Sequence, residues 1–161
     1  MNTYFFPVAV RFAAALIGAI LTAALPVFAD SAPPGAAKGC DAHPENLAVY
    51  EQVHQHIFND RDLARVEEFF AEDFTNHNAP PGAAQGPAAI RQYLPLLAGA
   101  FPDRAVIVDF VLCAGDFVIA RTFVTGTNTG SYFGRAPTGK SFDVTGTDIY
   151  FIRDGKIAGR W

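Results

Sequence analysis

An α+β domain, with three helices packed on the hollow side of a curved antiparallel or mixed sheet, is the fold the sequence predicts. Two observations carry it. Between Glu45 and Leu97 apolar residues return every three or four positions, which is the helical period. From Phe101 to Trp161 that period gives way to β-branched apolar runs separated by short turn signals. Helices followed by strands is the α+β order rather than βαβ alternation, so a dinucleotide-binding fold is excluded. Helices on the concave face of such a sheet enclose a pocket, and the polar residues that reach it decide the chemistry.

The first element is not part of that fold. Residues 12–25 (FAAALIGAILTAAL) are uncharged, follow a single Arg11 and lead into Pro26-Val27-Phe28-Ala29-Asp30. This is the layout of a secretory signal peptide spanning 1–29, cleaved after Ala29 to give a periplasmic or secreted product with no stable membrane insertion. The alternative is a retained anchor, since an apolar stretch of roughly 18 residues stands at the lower end of the spanning range. Residues 30–45 are rich in Pro, Gly, Ala and Ser and read as a flexible linker. The domain proper is 46–161. The formal net charge of −4 and the lack of any Lys/Arg run argue against nucleic acid as a partner. Of the two cysteines, Cys40 lies in the linker and Cys113 on a predicted strand. An oxidising compartment permits a bond between them that would pin the arm to the sheet; the alternative is a buried Cys113 with Cys40 free.

The first helix is expected at 46–58, with Leu47, Tyr50, Val53 or His54, and Ile57 on one face and Asn59 ending it. Asp60 caps a second helix at 62–70 carrying Leu63, Val66, Phe69 and Phe70. Residues 74–77 are extended and 78–86 irregular. Pro87 opens a third helix at 87–98, where its missing N–H costs nothing, with Ile90, Tyr93, Leu94 and Leu97 as the apolar stripe. Pro95 should kink that helix or end it early. Strands follow at 104–113, 117–126, 142–152 and 156–161. Ala114-Gly115-Asp116 joins the first pair, and Asp154-Gly155 folds the last strand antiparallel onto the one before. Residues 127–141 form a long rim loop.

No G-x-G-x-x-G, Walker, H-E-x-x-H or G-x-S-x-G pattern occurs. In their place stand D-F-T-N-H-N-A (73–79), G-P-A-A-I (86–90), A-F-P-D (100–103), G-D-x-V (115–118), G-T-N-T-G (126–130), G-x-x-P-T-G-K (134–140) and T-G-T-D-I-Y-F-I-R-D-G-K-I (145–157). In this order and spacing they make residues 47–161 resemble the SnoaL-like polyketide cyclase (ester cyclase) family of the nuclear transport factor 2-like superfamily. The resemblance implies a cone-shaped α+β barrel around a deep apolar cavity, a homodimer through the outer face of the sheet, and no cofactor. Some members close rings of polyketide esters by an intramolecular aldol reaction, while the superfamily also holds isomerases, dehydratases, hydrolases and non-enzymatic binders, so the fold alone does not settle function.

Asp148 is the leading catalytic candidate. The two-residue period of its strand groups it with Val144, Gly146 and Tyr150 on one face. A carboxylate there is costly unless it is paired, wet or lines a cavity. Its other reading is a structural ion pair with Arg121. His77, where the resemblance places a histidine near the cavity mouth, is the second acid/base candidate; its other reading is a loop histidine bonded to backbone carbonyls. Arg121, Tyr93, Tyr150 and Trp161 are the substrate-binding candidates, Trp161 either closing one end of the cavity or lying on the outer face at a dimer seam. His54 and His56 are two residues apart on a helix and point different ways, so no metal site is expected.

Where the resemblance places an acid/base aspartate beyond D-G-K-I, this sequence reads Ala158-Gly159-Arg160-Trp161 and stops. That leaves three readings: catalysis moved to Asp148 and His77, a chain cut short, or a binder. The resulting expectation is an exported, cofactor-free cyclase, isomerase or lyase using acid–base chemistry on a small apolar, polyketide-like ester or ketone. The alternative is a non-catalytic small-molecule-binding or dimerisation module.

Overall fold

A computed structural model describes residues 36–161; the expected signal peptide and its cleavage point lie outside them. Strand β1 (Ala36–Lys38) comes first, then helix α1 (Pro44–Gln52), which runs on as a π-helix over Val53–Asn59. A 3-10 turn (Leu63–Arg65) leads into the short α2 (Val66–Phe69), strand β2 (Phe70–Asn76) and helix α3 (Gly86–Ala100). The rest is β3 (Ala105–Ala114), β4 (Phe117–Thr127), β5 (Ser141–Arg153) and β6 (Lys156–Arg160). The six strands form one sheet in the order β1-β3-β4-β5-β6-β2. Its four central strands are antiparallel, and β1 and β2 join the two edges in parallel. The sheet is therefore mixed and the architecture α+β, as the change of period near Phe101 predicts.

Each strand is built on alternation. On β4, Val118, Ala120 and Thr122 are buried, whereas Phe117 and Arg121 are exposed. The buried face meets Tyr50, Val53, Ile57 and Phe58 of the first helix and Ile90, Leu94 and Leu97 of α3. Burying each such side chain contributes about 1.5–3 kcal/mol. Asp154 and Gly155 both have positive φ, 52° and 71°, as a two-residue hairpin turn of the mirror-image kind requires.

Three local features depart from expectation. The linker is not wholly irregular, because β1 pairs Ala36, Ala37 and Lys38 with Phe110, Val111 and Leu112. Gly39 follows at φ 73°, where a Cβ would stand 2.7 Å from the Cys113 carbonyl oxygen. Only glycine turns the chain so tightly here, and the next residue, Cys40, is bonded to Cys113 across 73 residues. Pro95 sits inside α3, which nevertheless continues to Ala100. The first helix widens to π geometry instead of ending as an α-helix, and its last residue is clamped to β3: Asn59 Nδ2 donates to the Val106 carbonyl (3.1 Å) and Val106 N donates to Asn59 Oδ1 (2.9 Å). Among the described residues no helix is long and apolar enough to cross a membrane.

Candidate active site

Three elements converge on one buried carboxylate. The first helix turns Tyr50, His54 and Phe58 toward the sheet, each four residues after the last, so they share a face. From β5 come Gly146, Asp148 and Tyr150, and β6 places Arg160 directly opposite Tyr150. Arg160 Nη2 donates to Asp148 Oδ1 at 2.8 Å, while His54 Nε2 lies 3.8 Å from Asp148 Oδ2, beyond hydrogen-bond length. The rings of Tyr50 and His54 are 4.3 Å apart, and that of Tyr150 is 5.7 Å from Tyr50 and 6.0 Å from His54. Only 8% of Asp148 and 5% of His54 is exposed.

This cluster is polar yet under-satisfied. Tyr50 Oη, Tyr150 Oη, both ring nitrogens of His54 and Arg160 Nε are buried with no hydrogen-bond partner. Buried polar groups are nearly always paired, and such a concentration of exceptions points to a place where polar groups serve something other than the fold. Burial is the main influence on the titration of all three ring systems. It pushes the His54 imidazole down to about 4, opposed by Asp148 and reinforced by Arg160 and Arg104. It raises both phenols, so Tyr50 and Tyr150 remain hydrogen-bond donors at neutral pH.

His54, Asp148, Tyr150 and Arg160 line a recess of about 160 Å³ together with Phe58, Arg104 and Thr122, while Tyr50 is buried outside its lining. A second recess of about 250 Å³ shares Phe58, Arg104, Val124 and Arg160 with the first and adds apolar walls from Leu97, Phe101 and Phe142. An outer one of about 500 Å³ shares Tyr93 and Arg160 with the second and opens between Leu96, Tyr132 and Phe133. Arg160 thus borders all three. The rim loop that carries Tyr132 is held down by Gly130: its N–H bonds to the Ala100 carbonyl at 3.1 Å, and a Cβ there would lie only 1.9 Å from the Gly99 oxygen.

Of the residues singled out from sequence, Asp148, Tyr150 and Tyr93 line these recesses. His77 does not. It is exposed, stacked on Trp161 at 4.2 Å with its backbone N–H on the Arg160 carbonyl. Trp161 does not close the pocket either; its ring lies near Phe117, whose side chain points to the outer face. Arg121 is the clearest correction. Ala120 is the residue opposite Asp148, so Arg121, one step on, faces away and meets Asp109 at 3.4 Å. It neither pairs with Asp148 nor touches the recess.

Sequence reasoning missed Tyr50, His54, Arg104 and Arg160. For the first two a signal exists, since they stand four apart on the stripe with Leu47 and Ile57. Arg104 and Arg160 lie at strand ends, where a charge draws no notice. Among the described residues no three His, Cys, Asp or Glu side chains gather as metal ligands.

A family model for the SnoaL-like polyketide cyclase matches residues 48–161. The chain belongs to the SnoaL-like polyketide cyclase family. Solved structures agree on the fold. TsrD from Streptomyces laurentii is 23% identical, with a TM-score of 0.66 over 74% of this chain and 87% of its own. IdmH from Streptomyces antibioticus is 27% identical, with a TM-score of 0.62 over 72% and 88%. A SnoaL-like polyketide cyclase from Agrobacterium tumefaciens str. C58 is 16% identical, with a TM-score of 0.61 over 72% and 87%. The SnoaL-like family and its nuclear transport factor 2-like cone account for the helices-over-sheet layout, and membership supports a cyclase- or isomerase-type role.

Proposed function

We propose that this protein is an exported acid–base enzyme that moves a proton at the carbon next to the carbonyl of a small, largely apolar ester or ketone, with Asp148 as the proton-transferring group and no cofactor. The observation that carries this reading is Asp148 itself, a carboxylate on the floor of a recess with apolar upper walls, beside a neutral imidazole and two phenols lacking protein partners. Asp148 Oδ1 is held by Arg160, which fixes the carboxylate, while Oδ2 keeps its lone pairs for a substrate C–H. In the first step Oδ2 takes the proton, and the electron pair moves onto the carbonyl oxygen to form an enolate. In this reading the Tyr150 hydroxyl and the Arg160 Nε–H, both without protein partners, donate to that oxygen, and their hydrogen bonds strengthen as its charge grows. The enolate carbon then attacks a second carbonyl of the same molecule, closing a ring, and the alkoxide so formed takes the proton back from Asp148; in a conjugated substrate the dienolate instead recovers that proton at its far carbon. Export is supported by the leader-like segment together with the Cys40–Cys113 bond, which persists in oxidising compartments.

Proton–deuterium exchange tests the reading without knowledge of the final product. In D2O, candidate β-ketoesters and aryl ketones should show protein-dependent loss of the α-proton NMR signal. Asp148→Asn should slow that exchange about 100-fold or more while leaving ligand affinity nearly intact. Undiminished exchange in the variant removes Asp148 from the chemistry. Affinity without exchange in the wild type leaves a binder of the same fold.

A further inference from the structure

The positive charges around the recess outnumber the negative ones. Arg104 and Arg160 border both inner chambers, and Asp148 is the only acidic residue lining them. Asp148 is already taken, its Oδ1 accepting from Arg160. The half-buried Arg104 side chain has as its one hydrogen bond a long contact of 3.4 Å from Nη1 to the neutral Phe58 carbonyl. Its basic neighbours give it no relief: Arg61 reaches the carbonyls of Pro102 and Arg104, and Arg160 is itself a cation. Burial, ahead of every other influence, disfavours the charged form of Arg104. The remaining groups offer no anion, since His54 is neutral and Tyr150 stays protonated near pH 7. A planar guanidinium in that position, with most of its N–H groups uncommitted, is suited to a planar two-oxygen anion.

We infer that the substrate carries one carboxylate, which docks on Arg104 where the two inner chambers meet, with its apolar body along Leu97, Phe101 and Phe142 and its reactive carbon toward Asp148. This rests on the reading that the recess is the substrate site, and it narrows a neutral ester or ketone to a keto acid or half-ester. One unmatched positive charge selects a monoanion, so a phosphate monoester, which is close to dianionic at neutral pH, is the poorer fit.

Matched probes test this by calorimetric titration of the whole protein: phenylalkanoates of two to five chain carbons, their methyl esters, and the phenylalkyl phosphates of equal length. The best carboxylate should bind at least about tenfold more tightly than its ester and its phosphate. Arg104→Met, which keeps the length of the side chain and removes its charge, should abolish that preference by weakening the acid alone, and Arg104→Lys should restore part of it. Should Arg104→Met fail to fold, the preference of the wild type decides. The inference is overturned if esters or phosphates match or exceed the acids, if no carboxylate binds more tightly than its ester, or if folded Arg104→Met keeps the preference. Asp148→Asn separates the two readings: carboxylate affinity should hold or rise when the competing anion is removed, even as α-proton exchange is lost. Exchange without acid preference defeats only the carboxylate, and acid preference with exchange undiminished by Asp148→Asn defeats only the role of Asp148.

Discussion

His54 shows how far burial governs this site. Its imidazole falls from an ordinary value of 6.5 to about 4, first because it is shut away from water, with Asp148 opposing and two arginines reinforcing. Between those values the unfolded chain binds a proton that the folded protein refuses, so stability rises with pH across the window and is lost as pH falls from about 6.5 toward 4. The span corresponds to about 3 kcal/mol. Melting curves between pH 7.5 and 4 should therefore slope more steeply for the wild type than for His54→Gln, and parallel curves would contradict the account. Legibility from sequence divides along the same physical line. Asp148 stood out because a carboxylate inside an apolar strand demands an explanation. His54 did not, because an imidazole is common on a helix and becomes informative only once its neighbours are known. Arg121 misled because the register partner of Asp148 is one residue earlier. Asp109 is the extra residue at a break in the β3–β4 ladder, between Val108 and Phe110, and that bulge brings its carboxylate to Arg121.

The helical segment that carries Tyr50, His54 and Phe58 owes its position to its far end. A π-turn has wider, less regular hydrogen bonding than an α-turn and usually persists where tertiary contacts fix it. Asn59 is such a contact, bonding both backbone groups of Val106. Asn59→Ala leaves a donor and an acceptor unmatched at a part-buried junction, which costs about 2 kcal/mol, or roughly 6–10 °C in melting temperature. Differential scanning calorimetry checks this, and an unchanged midpoint would mean the clamp is incidental. Periodicity located all three helices and the four long strands to within a few residues. It could not foresee the π-turn, which arises from packing, nor β1, whose Ala-Ala-Lys has no pattern of its own and becomes a strand only by pairing with β3. The continuation of α3 past Pro95 has the same cause, since Leu94, Leu97 and Ala100 are all buried on one face.

Taken together, the described residues form an open sheet whose two edges are guarded differently. On the β2 side, Glu72 and Asp73 are exposed, and Asp73 is bound by Arg153 at 2.6 Å. Charges on an edge discourage further strand pairing. On the other side the guard is β1, three residues long and tethered through Cys40 to Cys113. Closing a loop of 73 residues restricts the unfolded chain enough to contribute about 4 kcal/mol in the chain-entropy view. Cys40→Ser with Cys113→Ser should lower the unfolding midpoint in urea by a corresponding amount, and equal midpoints with and without reductant would refute it. The proposed export predicts that protein made from the full chain in a cell with an oxidising periplasm has the intact mass of residues 30–161 with this bond formed, and a mass that retains residues 1–29 would contradict it.

The tether has a second effect, on solubility rather than stability. Without the bond, three residues of backbone pairing are too few to keep β1 in place, and the departing strand bares the backbone of Phe110–Leu112 on a strand whose Ile107 and Leu112 side chains are already exposed. A folded domain would then present a long, apolar, unpaired β3 margin, which is a template for the same margin on another copy. The redox state of two sulfur atoms would thus decide whether this protein stays dispersed, and material made in a reducing cytoplasm would be lost to fibrous precipitate while still carrying an intact recess.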